Sequence, residues 1–160
     1  MTATALKASL PIGEGASVSP PVDILAGIRG AKWAPPFVMI DRIIHMSSDT
    51  AVALVEFNGD AERFAYGSHA SPSLLIEGMA QLSLALIRHG DPTVEIGIIP
   101  SLREITMNPP PAGRFSATIH VRWVEGAFPR YGFAGTALVD GHPVCEAMLD
   151  ILARREEAAG

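Results

Sequence analysis

Glu77 is the only charged residue between Pro72 and Ile87, in a stretch that consists mostly of apolar residues. Gln81 follows four residues later, a spacing that places both side chains on one face of a helix. His69 precedes this stretch in a short polar segment. Carboxyl and imidazole groups are side chains that enzymes commonly use to move protons. The sequence therefore points first to proton-transfer chemistry around Glu77 and His69.

Each of these two residues also has an interpretation without catalysis. Glu77 either points into solvent through a gap in its surroundings or is partly buried, where desolvation of the charged form would suit it to act as a general acid. Glutamates are rarely buried unpaired, and periodicity alone leaves both possibilities open. His69 is either an inert loop residue or a base. The residue type and its loop position alone favour an inert histidine, whereas a Glu77 within reach favours a functional one.

The other titratable residues show no comparable arrangement. His45, His89, His120 and His142 form no metal-ligand spacing with the single cysteine, Cys145. We therefore expect no metal ion, with the histidines on strands or at the surface and the cysteine in the core. A lone cysteine also excludes an intrachain disulfide and is typical of a reducing cytoplasm.

Composition narrows the possible functions. The 160 residues are 48% hydrophobic and only 18% charged, against an ordinary charged share of about 25%. The net charge of −5 argues against nucleic acid as a partner, and no apolar run is long enough to span a membrane. The apolar surplus indicates a second surface to bury, such as a subunit interface or an apolar ligand.

A long helix must position Glu77. Ser71 is a suitable N-cap, Pro72 suits the first helical position and Gly90 provides a stop, which predicts a helix to about His89. Apolar residues fall on every face of this helix, so we expect it to be buried all round and wrapped by a sheet.

The rest of the chain has β character. Alternating or continuous apolar patterns predict strands, and Asp140-Gly141 predicts a two-residue hairpin. Residues 63–71 are interpreted as loop from their Gly and Ser content, and a short helix is expected at 22–28. Five to seven strands are expected around one long helix, two of them before it and the others after it, which gives an α+β fold class because βαβ alternation is absent. The predicted strands are 37–45, 50–57, 94–99, 102–107, 115–124, 130–139 and 143–152.

We expect one domain in this chain. Residues 1–21 lack periodicity and are interpreted as a mobile tail, residues 22–153 as a single domain and residues 154–160 as a C-terminal tail. The apolar segment near the start is short and interrupted by Lys7, so a signal peptide is not expected. This favours a cytoplasmic location.

Three segments resemble one known family. Leu74-Leu-Ile-Glu-Gly-Met-Ala-Gln81 resembles the helix motif of the hot-dog-fold 3-hydroxyacyl-acyl carrier protein dehydratases of the FabZ and FabA type. Residues 36–43 resemble the first core strand of that family, and residues 135–148 resemble its last hairpin. The resemblance covers roughly residues 28–152 and implies a long central helix wrapped by an antiparallel sheet.

The resemblance also implies a function. Members of this family eliminate water from a 3-hydroxyacyl thioester carried by acyl carrier protein and leave a trans-2-enoyl thioester, in fatty acid, polyene or polyketide synthesis. Two subunits pair, here as a homodimer or as a heterodimer with a related hot-dog subunit. A histidine of one subunit and the helix carboxylate of the other share a site. On this basis Glu77 is the acid, and no cofactor is needed.

The segment before the helix departs from the family pattern, because it is shorter. Aligning Glu62, Phe64 and Gly67 places His69 near the catalytic histidine. Counting back from Glu77 without a gap places Arg63 there instead. A guanidinium stays protonated and cannot act as a base, so we favour His69.

A second departure concerns the oxyanion site. The ungapped alignment places Pro72 where the family has a glycine whose N–H holds the thioester oxygen, and proline has no N–H. The N–H groups of Ser73 or Leu74 at the helix start are possible substitutes. Tyr66 either lines the mouth of the pocket or packs, and Gln81 is expected in the oxyanion site or pocket, on the same helix face as Glu77.

The resemblance and these departures together leave three possible functions. The first is a dehydratase with His69 and Glu77 as catalytic residues. The second is a catalytically incomplete acyl-binding subunit that pairs with an active dehydratase. The third is a hot-dog thioesterase. Activity, acyl chain length, carrier and oligomer size are not determined by the sequence.

Overall fold

The computed structural model describes residues 39–57, 65–66 and 69–155, with the backbone alone at 65–66 and 69–70. Several expectations concern residues outside these ranges: the tail at 1–21, the short helix at 22–28, Arg63, and the last five residues.

One helix and eight strands form the described part of the chain. Six of the strands make one antiparallel sheet in the order β1-β2-β6-β7-β8-β5, and β3 pairs with β4. The elements are β1 Arg42–Met46, β2 Thr50–Phe57, β3 Ala65–Tyr66, β4 His69–Ala70, α1 Ser73–Gly90, β5 Val94–Met107, β6 Phe115–Ala127, β7 Arg130–Val139 and β8 His142–Arg155.

The core lies between α1 and one face of the six-stranded sheet. On β2 the residues Ala51, Ala53, Val55 and Phe57 are buried, whereas the residues between them are more exposed, as expected for a strand with one core face. The predicted burial of α1 is confirmed along most of its length. Ten of the twelve residues from 76 to 87 are buried, and Glu77 and Ala85 are partly exposed.

The hairpin between β7 and β8 confirms one local prediction. Asp140 and Gly141 connect the two strands with φ angles of 50° and 78°. A two-residue type I′ turn requires positive φ at both central positions, which explains the Asp-Gly pair.

The prediction of two strands at 94–99 and 102–107 was wrong, because β5 runs without interruption through Pro100. β5 is the last strand in the sheet order, and a proline is tolerated on an edge strand because its missing N–H need not join a ladder. The register against β8 shifts between Ile98 and Ser101. Pro100 therefore coincides with a β-bulge and does not end the strand.

The prediction of loop at 63–71 was also wrong in part. Tyr66 and His69 pair across the short β3–β4 hairpin. Gly67-Ser68 stands between them in the sequence. This dipeptide is typical of a tight hairpin connection, and it was the signal for the hairpin.

Two element boundaries also differ from expectation. β1 begins at Arg42, and at Met39, within the predicted strand 37–45, the N–H donates to the Gln81 side chain of α1 instead of to a strand. Pro72, expected at the first helical position, is the N-cap residue itself, and α1 begins at Ser73. In the described part of the chain, no helix has the length and apolar character needed to cross a membrane.

Candidate functional site

The start of α1 is held by backbone hydrogen bonds and not by a side-chain cap. The Leu74 N–H donates to the Ser71 carbonyl and the Leu75 N–H donates to the Pro72 carbonyl, each at 3.0 Å. The hydroxyls of Ser71 and Ser73 bond to each other at 2.7 Å. Of the two N–H groups considered for an oxyanion site, that of Leu74 is therefore engaged within the chain.

Glu77 lies in the second turn of α1 and is partly exposed. The Gln81 side-chain amide donates from Nε2 to Glu77 Oε1 at 2.9 Å. The two residues are one helical turn apart, so the helix itself sets this contact. The shared helix face expected from the spacing is therefore occupied by a hydrogen bond between the two side chains, and a role of Gln81 in an oxyanion site or pocket stays a prediction.

Gln81 is only 1% exposed, and its amide orientation is fixed from the other side. Its Oε1 accepts the Met39 N–H at 2.9 Å. A backbone N–H can only donate, so the carbonyl end of the amide must face Met39. The NH₂ end is thereby directed at the Glu77 carboxyl, which is held in one orientation by a buried and paired neighbour.

A small cleft opens beside Glu77, with a volume of about 50 Å³. Glu77 is the only charged residue that lines the cleft. The lining includes three residues of α1, two of β5 and one of β8. The lining residues are Glu77, Ala80, Leu84, Gly97, Ile99 and Ile151. An apolar cleft with one carboxyl group fits a ligand that has an apolar portion and a polar group to be protonated or hydrogen-bonded.

Sequence reasoning did not identify the β5 and β8 residues of this cleft. Gly97 carried the one available signal, because an isolated glycine within a strand pattern often marks a close approach of another group. Ile99 and Ile151 are ordinary strand residues, so nothing in their types distinguished them.

His69 lies on β4 and Tyr66 on β3, where their backbones pair directly. The side chains of both residues are outside the described part of the structure. His69 precedes the N-cap Pro72 by only three residues, so the β3–β4 hairpin connects closely to the helix that carries Glu77.

The shifted titratable groups of the described residues lie away from the cleft. Burial raises the pKa of the Cys145 thiol, with a smaller effect from Glu146, and burial lowers the pKa of the His120 imidazole. The Thr93 hydroxyl and then Arg155 hold the pKa of Asp91 below its usual value. Among the described residues, no three His, Cys, Asp or Glu side chains are grouped as metal ligands would be.

Comparisons with known proteins found similar solved structures. No family model and no curated protein sequence matches the chain. Among solved structures, the chain is similar to the dehydratase heterocomplex ApeI:P from Xenorhabdus doucetiae. The TM-score is 0.70 at 16% identity, covering 86% of this chain and 93% of that one.

Two further solved structures are similar over 72% of this chain. A hypothetical thioesterase protein with coenzyme A from Streptococcus pneumoniae TIGR4 gives a TM-score of 0.58 at 14% identity over 87% of its length. An HP0420 homologue from Helicobacter felis gives 0.57 at 10% identity over 79% of its length.

At these identities the likeness shows the fold. One helix packed against a six-stranded antiparallel sheet, with these structural neighbours, is the α+β hot-dog fold. The fold class expected from the sequence is confirmed.

Proposed function

We propose that this chain is a dehydratase of the hot-dog fold that removes water from a 3-hydroxyacyl thioester carried by acyl carrier protein. The observation that carries the proposal is the oriented Glu77 carboxyl at an apolar cleft, with Gln81 and Met39 fixing its position. The similarity to a dehydratase heterocomplex supports the same reaction class. The product is a trans-2-enoyl thioester.

In this proposal His69 is the base. Its imidazole accepts the proton from the carbon next to the thioester carbonyl, and the electron pair of that C–H bond forms the new double bond. The bond between the adjacent carbon and its hydroxyl oxygen breaks at the same time or shortly afterwards. We propose that His69 acts from one subunit on a substrate that lies beside Glu77 of the other.

Glu77 is the acid in this scheme. The departing hydroxyl takes a proton from the carboxyl and leaves as water. Because Oε1 accepts a hydrogen bond from Gln81, we assign the transferred proton to Oε2. Exchange with solvent then returns a proton to the carboxyl and removes one from the imidazole, which restores the site.

A second candidate is a catalytically incomplete subunit that binds an acyl chain and pairs with an active partner. The observation that favours it is the start of α1. Pro72 has no N–H, and the Leu74 N–H is already bonded to the Ser71 carbonyl. Of the Ser73 and Leu74 N–H groups, that of Ser73 is therefore the remaining candidate for holding the thioester oxygen. The heterocomplex among the structural neighbours is compatible with such pairing.

Subunit pairing itself is proposed through β5. This strand of 14 residues lies at the edge of the sheet and exposes several large apolar side chains. A long apolar edge strand is prone to uncontrolled pairing unless another chain covers it. Gly97 and Ile99 of the same strand line the cleft, so a partner on this edge lies next to the proposed site. The exposed apolar residues are Ile96, Ile98, Leu102, Ile105 and Met107.

The decisive experiment is the dehydration of 3-hydroxybutanoyl thioester by the purified chain and by its Glu77→Gln variant. Loss of a positioned general acid is expected to lower kcat by about 10²–10⁴-fold. Glu146→Gln is a suitable control because Glu146 is an exposed carboxyl on β8 that does not line the cleft.

Three other results would contradict the proposal or favour an alternative function. Equal activity of the Glu77→Gln and control variants would exclude Glu77 as the acid. Absence of activity in the wild-type chain, with activity on adding a related hot-dog subunit, would favour the incomplete subunit. Release of free thiol from an acyl thioester would establish the thioesterase instead.

A further inference from the structure

We infer that Leu84 forms the closed end of the cleft and determines how long an acyl chain the site accepts. The inference rests on the proposed function, since it takes the apolar part of a thioester substrate as the occupant. Leu84 lies on the same face of α1 as Glu77 and is only 4% exposed. At about 1.5 Å of rise per residue, the two positions are separated by about 10 Å along the helix axis.

Three groups converge at the end of the cleft away from Glu77. A methyl group added at Gly97 would lie 3.1 Å from Ile151 Cγ2 and 3.2 Å from Leu84 Cδ1. These separations are shorter than ordinary carbon–carbon contacts of about 3.5–4.0 Å. The side chains of Leu84 and Ile151 therefore reach over the bare backbone of Gly97 and leave little free space there.

The size and lining of the cleft indicate a short apolar group. Its volume is about 50 Å³, whereas an engineered apolar cavity that binds benzene measures about 150 Å³. Glu77 supplies the carboxyl group of the lining, and Ala80, Leu84, Ile99 and Ile151 supply apolar walls. An acyl chain with its reacting carbons beside Glu77 would therefore end against Leu84 after a few carbons.

Two substitutions should change this length in opposite directions. Leu84→Ala removes the end wall and is expected to shift the preferred chain to a longer one, with each newly accommodated methylene strengthening binding about fourfold. Gly97→Ala adds a methyl at the closed end and is expected to shift the preference to a shorter chain. The measurement is calorimetric titration with saturated acyl-N-acetylcysteamine thioesters from butanoyl to dodecanoyl.

Matched controls separate chain length from stability. Leu82→Ala removes an equally buried leucine that does not line the cleft, and Gly90→Ala adds a methyl that meets nothing within 4 Å. Both controls should keep the wild-type chain-length preference. Leu84→Ala leaves a cavity in the core and is strongly destabilising, so if that variant does not fold, Gly97→Ala against Gly90→Ala decides the question.

The inference is overturned if the Leu84→Ala and Leu82→Ala variants share one length preference, or if Gly97→Ala leaves the preference unchanged. Absence of binding by every thioester in the wild-type protein would also overturn it. Opposite shifts in a protein that dehydrates nothing would support the inference and refute the proposed reaction. The two failures are therefore distinguishable.

Discussion

At the residue scale, Gln81 performs two tasks with one amide. Its oxygen accepts the Met39 N–H and its nitrogen donates to Glu77. A buried amide of this kind stabilises the fold and positions a carboxyl group at the same time. Glu77 was identifiable from the sequence because it is the lone charge in an apolar helix. The contact of Gln81 with Met39 was not, because it joins residues 42 positions apart.

The two tasks of Gln81 can be separated by substitution. Gln81→Leu removes both hydrogen bonds and leaves the Met39 N–H unpaired, so we expect a loss of about 1–3 kcal/mol in the free energy of unfolding together with reduced kcat. Gln81→Glu keeps an oxygen for Met39 but replaces the neutral amide donor with a second carboxyl group, so that two carboxyls compete for one proton beside Glu77. Dehydration assays should show a reduced kcat in both variants. Urea unfolding measures the loss of stability expected for Gln81→Leu. Wild-type kcat in both would contradict a positioning role.

At the element scale, the sequence predicted those elements whose local signals agree with their tertiary role. The helix was predictable because its apolar run to Ile87 is followed by Gly90 as a stop, and the β7–β8 hairpin because Asp140-Gly141 is a strong signal for a two-residue turn. β5 was not, because Pro100 is a break signal that its edge position overrides. The cleft was missed for a similar reason, since Gly97, Ile99 and Ile151 acquire their role only when α1, β5 and β8 pack together.

The strand β6 allows a prediction about pH. His120 lies between Val52 and Thr136 in the register of the sheet, and burial holds its pKa below the ordinary 6.5. Above that value the imidazole is neutral in both the folded and unfolded chains. As the pH falls below 6.5, the unfolded chain binds a proton first, so the free energy of unfolding decreases until the pH passes the folded-state pKa.

Urea unfolding across this range, compared with the His120→Gln variant, measures the effect. The variant should lose less stability than the wild type between pH 7 and pH 5, values that bracket the ordinary histidine pKa of about 6.5. Equal losses in the two proteins would show that His120 does not contribute. The buried Cys145 is a separate group, whose raised pKa affects only alkaline conditions.

At the scale of the whole molecule, the apolar surplus of the sequence has specific locations. Part of it fills the core between α1 and the sheet, and part lies exposed along the edge strand β5. The cleft borders the same edge, so pairing and catalysis are proposed to depend on one another.

A charge on β5 should therefore prevent subunit pairing. Ile98 is 44% exposed on the edge strand, and Val124 of β6 is 43% exposed elsewhere. We expect Ile98→Asp to lower the molar mass measured by light scattering to that of a single chain, because pairing would bury an unpaired charge. Val124→Asp should retain the wild-type mass. The same mass for both variants would exclude β5 as the interface.

The central claim is that His69 of one subunit and Glu77 of its partner form one active site. The most direct test mixes the His69→Ala and Glu77→Gln variants after each is shown to be inactive alone. In randomly re-formed dimers, half of the molecules are mixed and each mixed dimer has one intact site. We therefore predict recovery of about a quarter of wild-type dehydration activity. A mixture as inactive as its components would contradict the claim.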